Sequence, residues 1–168
     1  HNAITVRMPG EELPRYWHHL GENEEELPIP NDGGQNERGG GSEVVAFETT
    51  EDYAYIAGDA SGSYNPDKVN LALRQFVFVP PDYFVVFDRV ESDDPSYEKR
   101  WLLHTAAEPR TQGLTFSADH ESGRLFCRTL YPPDAAQELV GGPDKRFWND
   151  GRNWPLLPDY RARADTST

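Results

Sequence analysis

Alternation of apolar and polar residues recurs along most of this chain and limits the folds open to it. In "NAITVRM" the side chains of Ile4, Val6 and Met8 fall on one face of an extended segment, and those of Thr5 and Arg7 fall on the other. Short strands without amphipathic helices between them predict an antiparallel all-β fold, a sandwich or a barrel. Similar runs recur about every ten to fifteen residues, namely "EVVAFET", "DYAYIAGDAS", "VNLALRQFVFV", "DYFVVFDRVE", "KRWLLHTAA", "GLTFSAD", "GRLFCRTLYP" and "QELVGG".

A length of 168 residues suits one hydrophobic core, so a single domain is expected over residues 1–168. The segment "FVFVPPDYFVVFD" predicts a hairpin with its corner at Pro80–Pro81–Asp82, because proline presets a turn and cannot continue a central ladder. Two stretches leave the strand rhythm. Residues 21–43 form a long acidic and Gly-rich segment that is either a functional loop or disordered, and the tail after Trp154 predicts a frayed end or a truncated last strand.

The formal net charge of −13 argues against a nucleic-acid partner, because phosphate binding depends on clustered Lys and Arg. A polyanionic ligand would need a local basic patch to overcome the overall field. No run approaches the ~18 apolar residues of a membrane span, and no signal peptide is visible. Two small basic groups could form a local patch: Arg7, Arg15, His18 and His19, and the later Lys145, Arg146 and Arg152.

The residues that could bind a metal are few. The one cysteine, Cys127, excludes an internal disulfide and is predicted to be a buried, inert thiol. Five histidines are present, without an HExxH, an HxH or a Cys/His pairing, so a complete metal site within the chain is not expected. For His104, in "RWLLHTA", a hydrogen-bonded core histidine is favoured over a catalytic one.

Three polar or aromatic groups could contact a ligand. Tyr16, Trp17 and His18 form an aromatic cluster that either stacks on a sugar ring or packs internally. The amides, carboxylate and glycines of "NDGGQN", residues 31–36, suit hydrogen bonding to hydroxyl groups, although a plain turn uses the same residues. Asp59 is predicted to cap backbone amides of the Gly-Ser turn that follows it.

Six segments occur in an order that resembles the carboxyl-terminal half of heparinase II/III-like polysaccharide lyases. The elements "NDGGQ" and "GGPDKRFW" are closer to the heparinase II branch than to the alginate-lyase relatives, and the resemblance covers residues 1 to about 155. The segments are "HNAITVRMPGEE", "NDGGQ", "YAYIAGDASGSYN", "RQFVFVPPDYFVVFDRV", "RWLLHTAAEP" and "GGPDKRFWNDGRNWP".

The resemblance implies a two-part enzyme in which an upstream α/α toroid carries the catalytic residues and a multistranded antiparallel β-sandwich caps the cleft. This chain corresponds to the sandwich. Such enzymes cleave acidic, uronate-containing polysaccharides, glycosaminoglycans among them, by β-elimination. The resemblance further implies a periplasmic or secreted bacterial protein, no catalytic residue within this chain, and no activity of this chain alone.

The resemblance also suggests site residues. Family members bind a structural zinc in the sandwich through two histidines and an aspartate, and "HNAITV" matches the last ligand, so His1 is the expected metal ligand. The other two ligands would lie upstream, which leaves the zinc site incomplete in this chain. The residues expected to contact substrate are Tyr16, Trp17, His18, Asn31 and Gln35.

Two other classes of protein stay open at this point. One is a non-catalytic carbohydrate-binding or purely structural sandwich, which would bind glycan without elimination. The other is a free-standing zinc protein, which would bind zinc tightly and lose it on His1→Ala substitution.

Overall fold

The computed structural model describes residues 2–12, 31–35, 41–146, 148–149 and 151–153. Within these residues the regular elements are strands and one 3-10 turn, and every strand pair is antiparallel. The all-β antiparallel prediction is therefore confirmed, and the several sheets are consistent with a β-sandwich. The chain divides into two compact units, Asn2–Leu102 and a second unit that begins at Leu103.

The first unit contains a four-stranded sheet and a two-stranded ribbon. In the sheet the strand order is β2-β3-β4-β5, and in the ribbon β1 pairs with β6, Ile4 opposite Trp101. A 3-10 turn, Ser61–Ser63, lies between β3 and β4. The strands are β1 (Ile4–Arg7), β2 (Glu43–Thr49), β3 (Ala54–Asp59), β4 (Val69–Val79), β5 (Tyr83–Ser92) and β6 (Glu98–Trp101).

The four-stranded sheet keeps its apolar side chains in rows because antiparallel partners face the same side. Phe47, Ile56, Phe76 and Val86 form one such row across all four strands. The ring of Phe84 lies 5.3 Å from that of Phe76, measured between centroids. Phe47 is 67% exposed and Phe84 is 59% exposed, so this face presents aromatic side chains to solvent.

The buried core of the first unit lies at one end of the sheet. Val6 of β1 packs with Tyr64, Val69 and Ala72, and residues from four segments close around them. Burying apolar side chains stabilises a fold by roughly 25 cal/mol per Å² removed from water. This small core therefore fixes β1 against the start of β4. The surrounding, partly buried side chains are those of Ile4, Ala60, Val90 and Tyr97.

The second unit contains a three-stranded sheet and a short hairpin. The sheet has the order β7-β8-β9, and the hairpin pairs Trp148 with Asn153. The Cys127 side chain, on β9, is half-buried and not fully buried as predicted, and its burial raises the pKa of the thiol. The strands are β7 (Arg110–Gln112), β8 (Thr115–His120), β9 (Gly123–Arg128), β10 (Trp148–Asn149) and β11 (Arg152–Asn153).

Most predicted strands are present, and two predictions need correction. The Pro-Pro hairpin is confirmed, because β4 and β5 pair from Val79 opposite Tyr83. The run "KRWLLHTAA" is a strand only as far as Trp101, because β1 offers it four partners. The run "QELVGG" forms no strand. The tail after Trp154 and most of the 21–43 segment lie outside the described residues.

Candidate functional site

The polar loop 31–35 is bound to β1 and to the residues that follow it. The Val6 amide donates to the Gly33 carbonyl at 2.8 Å. The Asn31 side-chain nitrogen donates to the Met8 carbonyl at 2.8 Å, and the Asn31 side-chain oxygen accepts from the Gly33 amide at 3.3 Å. Both ends of the Asn31 amide are thus used to hold the loop.

Gly33 is required where the loop meets β1. Its φ is +69°, in the left-handed region that favours glycine. A Cβ added there would lie 2.9 Å from the Val6 carbonyl oxygen, which is backbone and cannot rotate away. The two backbones approach this closely only because residue 33 has no side chain.

A buried ion pair closes the other side of the loop. Lys68 Nζ lies 2.9 Å from Glu11 Oε2, and their side chains are 0% and 1% exposed. The same ammonium donates to the Gly34 carbonyl at 3.3 Å and lies 5.8 Å from the centre of the Tyr64 ring. Because each charge is desolvated, each stabilises the fold only while the other is present.

Tyr64 connects the loop to β1 through its hydroxyl group. The Tyr64 hydroxyl donates to the Ile4 carbonyl at 2.6 Å, and the Gln35 side chain hydrogen-bonds the same phenol. Burial raises the Tyr64 pKa above its ordinary value, and the Gln35 contact opposes that rise. The phenol is therefore held neutral as a hydrogen-bond donor.

The turn that precedes Tyr64 is held by Asp59, as predicted. Asp59 Oδ1 accepts from the Ser61 amide at 2.8 Å and from the Ser61 hydroxyl. The Ser61 oxygen in turn accepts from the Ala72 amide at 2.9 Å. These hydrogen bonds lower the Asp59 pKa, the Ser61 side-chain contact contributing most. The relay fixes the 3-10 turn to β4.

The backbone of Asn2 is anchored by an arginine of the four-stranded sheet. Arg74 Nη1 donates to the Asn2 carbonyl at 2.6 Å. The guanidinium is oriented by two hydrogen bonds to Asp88, at 2.7 and 3.0 Å. A bidentate pair of this kind fixes direction as well as distance. The backbone at Asn2 is thus tied to β4.

The structure brings together only part of the predicted ligand-contacting set. Asn31 is half-buried and committed to the loop, whereas Gln35 is exposed beside Tyr64. Tyr16, Trp17, His18 and the predicted metal ligand His1 lie outside the described residues. Asn31 and Gln35 therefore share one loop on β1.

The histidines and carboxylates of the described residues do not form a metal site. Within 2–12, 31–35, 41–146 and the short pieces beyond, no group of three or more His, Cys, Asp or Glu side chains converges. His104 is exposed and lies after β6 has ended, so the core-histidine interpretation is wrong. His120 is exposed at the end of β8.

Several residues of the site were not singled out from the sequence. Arg74 and Asp88 could have been found, because counting back from the Pro-Pro corner places them opposite each other in the predicted hairpin. Lys68 and Glu11 are separated by 57 residues and sit in segments without a motif. No local pattern pairs two such residues.

The chain matches no model of a known protein family, and no curated protein is significantly similar to it. In the part of the chain that the structure describes, no helix has the length and apolar character needed to cross a membrane.

Proposed function

We propose that this chain is the β-sandwich portion of a polysaccharide lyase that cleaves acidic, uronate-containing polysaccharides by β-elimination. An α/α toroid upstream in the same protein would carry the catalytic residues. The sandwich would form one wall of the substrate cleft, in a periplasmic or secreted bacterial protein. The proposal rests on the resemblance to heparinase II/III-like lyases together with the packing of the segments that carry it.

The observation that supports the proposal most is that the second to fifth resembling segments all contact the first, residues 1–12. The first segment contains β1 itself. Its backbone binds the second segment at Gly33, the third at Tyr64 and the fourth at Arg74. The fifth segment supplies Trp101, which pairs with Ile4. These five segments are thus contact partners within one folded unit, as the proposal requires.

The chemistry of β-elimination explains why the chain alone should be inactive. The reaction removes the weakly acidic proton beside a uronate carboxylate, so it needs a base, a group that neutralises the carboxylate, and an acid for the leaving oxygen. Three sets of described polar groups around β1 are committed to holding the fold: Asn31 to the loop, Lys68 to Glu11, and Arg74 to Asp88. The exposed Gln35 amide hydrogen-bonds Tyr64 and has further donor and acceptor positions that suit it to substrate hydroxyls and not to proton transfer.

A structural zinc ion belongs to the same proposal for the full-length protein, with His1 as one ligand. The described residues do not by themselves fit such an ion, because they contain no converging group of three ligand side chains. The remaining ligands would come from upstream.

The test compares this chain with a longer protein that also contains the upstream region. Each is incubated with heparan sulfate, chondroitin sulfate and alginate, and the absorbance of the unsaturated uronate product is followed. The longer protein is expected to form product and the present chain is expected to form none. Elimination by the present chain would refute the placement of the catalytic groups. Glycan binding without product from the longer protein would favour a non-catalytic module.

A second arm tests the role of Gln35 in the longer protein. Gln35→Ala should raise KM by about threefold to tenfold with little change in kcat, because one hydrogen bond to the bound substrate is lost. Gln137→Ala is the matched control, since Gln137 is also exposed but lies far along the chain from the 31–35 loop. Equal effects of the two substitutions would remove Gln35 from the substrate site.

A further inference from the structure

The three-stranded sheet of the second unit has one face that differs in character from the rest of the chain. Its cross-strand register places Arg110, Ser117 and Phe126 in one row. The next row contains Gln112, Thr115 and Arg128, and Asp119 faces Arg124 beyond the first row. We name these eight side chains the arginine face.

The arginine face is turned to solvent. Phe126 is 70% exposed, and the side chains of Arg110 and Arg124 are 67% and 53% exposed. On the opposite face of the same strands, Ala118 is 7% exposed. Leu125, beside Ala118 on that opposite face, is 45% exposed, so the two faces differ in the polarity of their side chains more than in exposure.

Three arginines against one aspartate make this face locally positive in a chain of net charge −13. Asp119 accepts hydrogen bonds from Arg124 and from Arg110, which lower the Asp119 pKa, the Arg124 contact contributing most, and hold the two guanidinium groups side by side. No carboxylate of the described residues forms an ion pair with Arg128. At about 3.3 Å per residue, Arg128 lies roughly 13 Å along β9 from Arg124.

Phe126 stands between these arginines and borders an open concavity. Arg124 lies over its ring, with the guanidinium carbon 6.0 Å from the centroid. The concavity is a shallow surface depression, open to solvent and lined by Asp119, Glu121, Ser122, Gly123, Arg124 and Phe126. Glu121, at its rim, disfavours an anion there, so anionic groups are expected nearer Arg110 and Arg128.

We infer that the arginine face binds a chain of acidic polysaccharide. The exposed Phe126 ring offers a flat apolar surface to the CH-rich face of a sugar. The flanking guanidinium groups offer paired donors to carboxylate or sulfate groups, and the Ser117, Thr115 and Gln112 side chains offer hydrogen bonds to hydroxyls. This inference rests on the proposed function, to which it adds a substrate-contacting surface distinct from the 31–35 loop.

The small number of arginines on this face favours an acidic glycan over a nucleic acid as the occupant. Double-stranded DNA carries one charge per ~1.7 Å of helix axis, and its binding requires an extended basic surface. Here three arginines lie within a chain whose remaining charge is strongly negative. A polymer with sparser charges and with sugar faces between them matches alternating arginine and phenylalanine side chains.

The experiment measures binding of the full chain to heparan sulfate oligosaccharides by calorimetry at low salt, with neutral dextran and single-stranded RNA as comparison ligands. Phe126→Ala and Arg128→Gln should each weaken binding by about fivefold to tenfold. The matched control is Arg100→Gln. Arg100 is an exposed strand arginine, 53% exposed and bonded to Glu98, but it lies on β6 and outside the arginine face.

Each outcome has a distinct meaning. Loss of binding in the Phe126 and Arg128 variants, with Arg100→Gln unchanged, supports the arginine face. Equal loss in all three, no effect of either face variant, no binding by the wild type, or tighter binding to RNA than to heparan sulfate overturns it. Product formation by the longer protein with binding unaffected by Phe126→Ala would reject the face and retain the lyase. Binding that depends on Phe126, with no product from the longer protein, would retain the arginine face as a glycan-binding surface and reject the lyase.

Discussion

The ammonium nitrogen of Lys68 lies 2.9 Å from a carboxylate oxygen of Glu11, and both side chains are closed to solvent. Glu11 follows β1 in the chain, and Lys68 immediately precedes β4. The pair therefore joins two segments that are 57 residues apart. Replacing a buried pair by apolar groups is often neutral, whereas removing one partner leaves an uncompensated charge.

Removing the lysine alone should strongly destabilise the chain. Lys68→Met is expected to lower the free energy of unfolding by about 3–5 kcal/mol, because Glu11 remains buried without its partner. Adding Glu11→Leu should recover most of that loss. Urea denaturation of the single and double variants measures both quantities. The exposed Arg100–Glu98 pair is the control, and Arg100→Gln should cost less than about 1 kcal/mol. A double variant no more stable than Lys68→Met would contradict this prediction.

Two glycines with nearly the same backbone angle separate conformational cost from steric cost. Gly33 has φ +69° and Gly10 has φ +71°, but a Cβ at Gly10 would meet nothing within 4 Å. Gly10→Ala should therefore lower the free energy of unfolding by about 1–2 kcal/mol, because a residue with a side chain is disfavoured in the left-handed conformation. Gly33→Ala should cost at least about 2 kcal/mol more, because the added carbon displaces the Val6 backbone and its hydrogen bond. Equal unfolding midpoints for the two variants would refute this assignment.

The alternation of the sequence predicted much of the sheet structure because each strand of a hairpin carries its own pattern. The run "VNLALRQFVFV" coincides with β4, and the Pro-Pro corner gave its partner β5. The cap at Asp59 was predictable for the same reason, since its partner Ser61 is two residues away. Local chemistry is visible in a local pattern.

The features that the sequence did not predict depend on residues that are distant from one another in the chain. The apolar letters of "QELVGG" match a strand, but Leu139 and Val140 are 45% and 47% exposed and no strand pairs with them. The contacts of β1 with the 31–35 loop and with Tyr64 cross 27 and 60 residues of chain. The arginine face likewise needs the register of three strands. Contacts between residues so far apart in the sequence form only in the folded chain. No residue spacing in the sequence predicts them.

The Tyr64 phenol should make stability depend on alkaline pH. Its folded pKa is raised above the ordinary 10.0, chiefly by burial, so the unfolded chain loses the proton first as pH rises. The stabilisation is complete below pH 10 and is lost as pH rises through the folded pKa. Tyr64→Phe should cost about 1–2 kcal/mol near neutral pH, where the bond to Ile4 is lost. The difference between the two proteins, from urea midpoints, should narrow above pH 10. A constant difference would contradict the prediction.

Asp59 should contribute to the loss of folding stability at acidic pH. Its folded pKa is lowered from the ordinary 3.8 by the Ser61 hydroxyl and amide, so the unfolded chain takes up the proton first as pH falls. The stabilisation is present above pH 3.8 and disappears as pH falls through the folded pKa. Asp59→Asn should be less stable than the wild type at pH 6, and the two unfolding midpoints should converge in acid. Other acidic groups with lowered pKa, such as Asp119, are unchanged in both proteins and cancel in the difference.

Ser61→Ala is the matched control, because it removes the hydroxyl that contributes most to the shift. If Ser61→Ala left the acid dependence as steep as in the wild type, the relay from Asp59 through Ser61 to the Ala72 amide would not be its source.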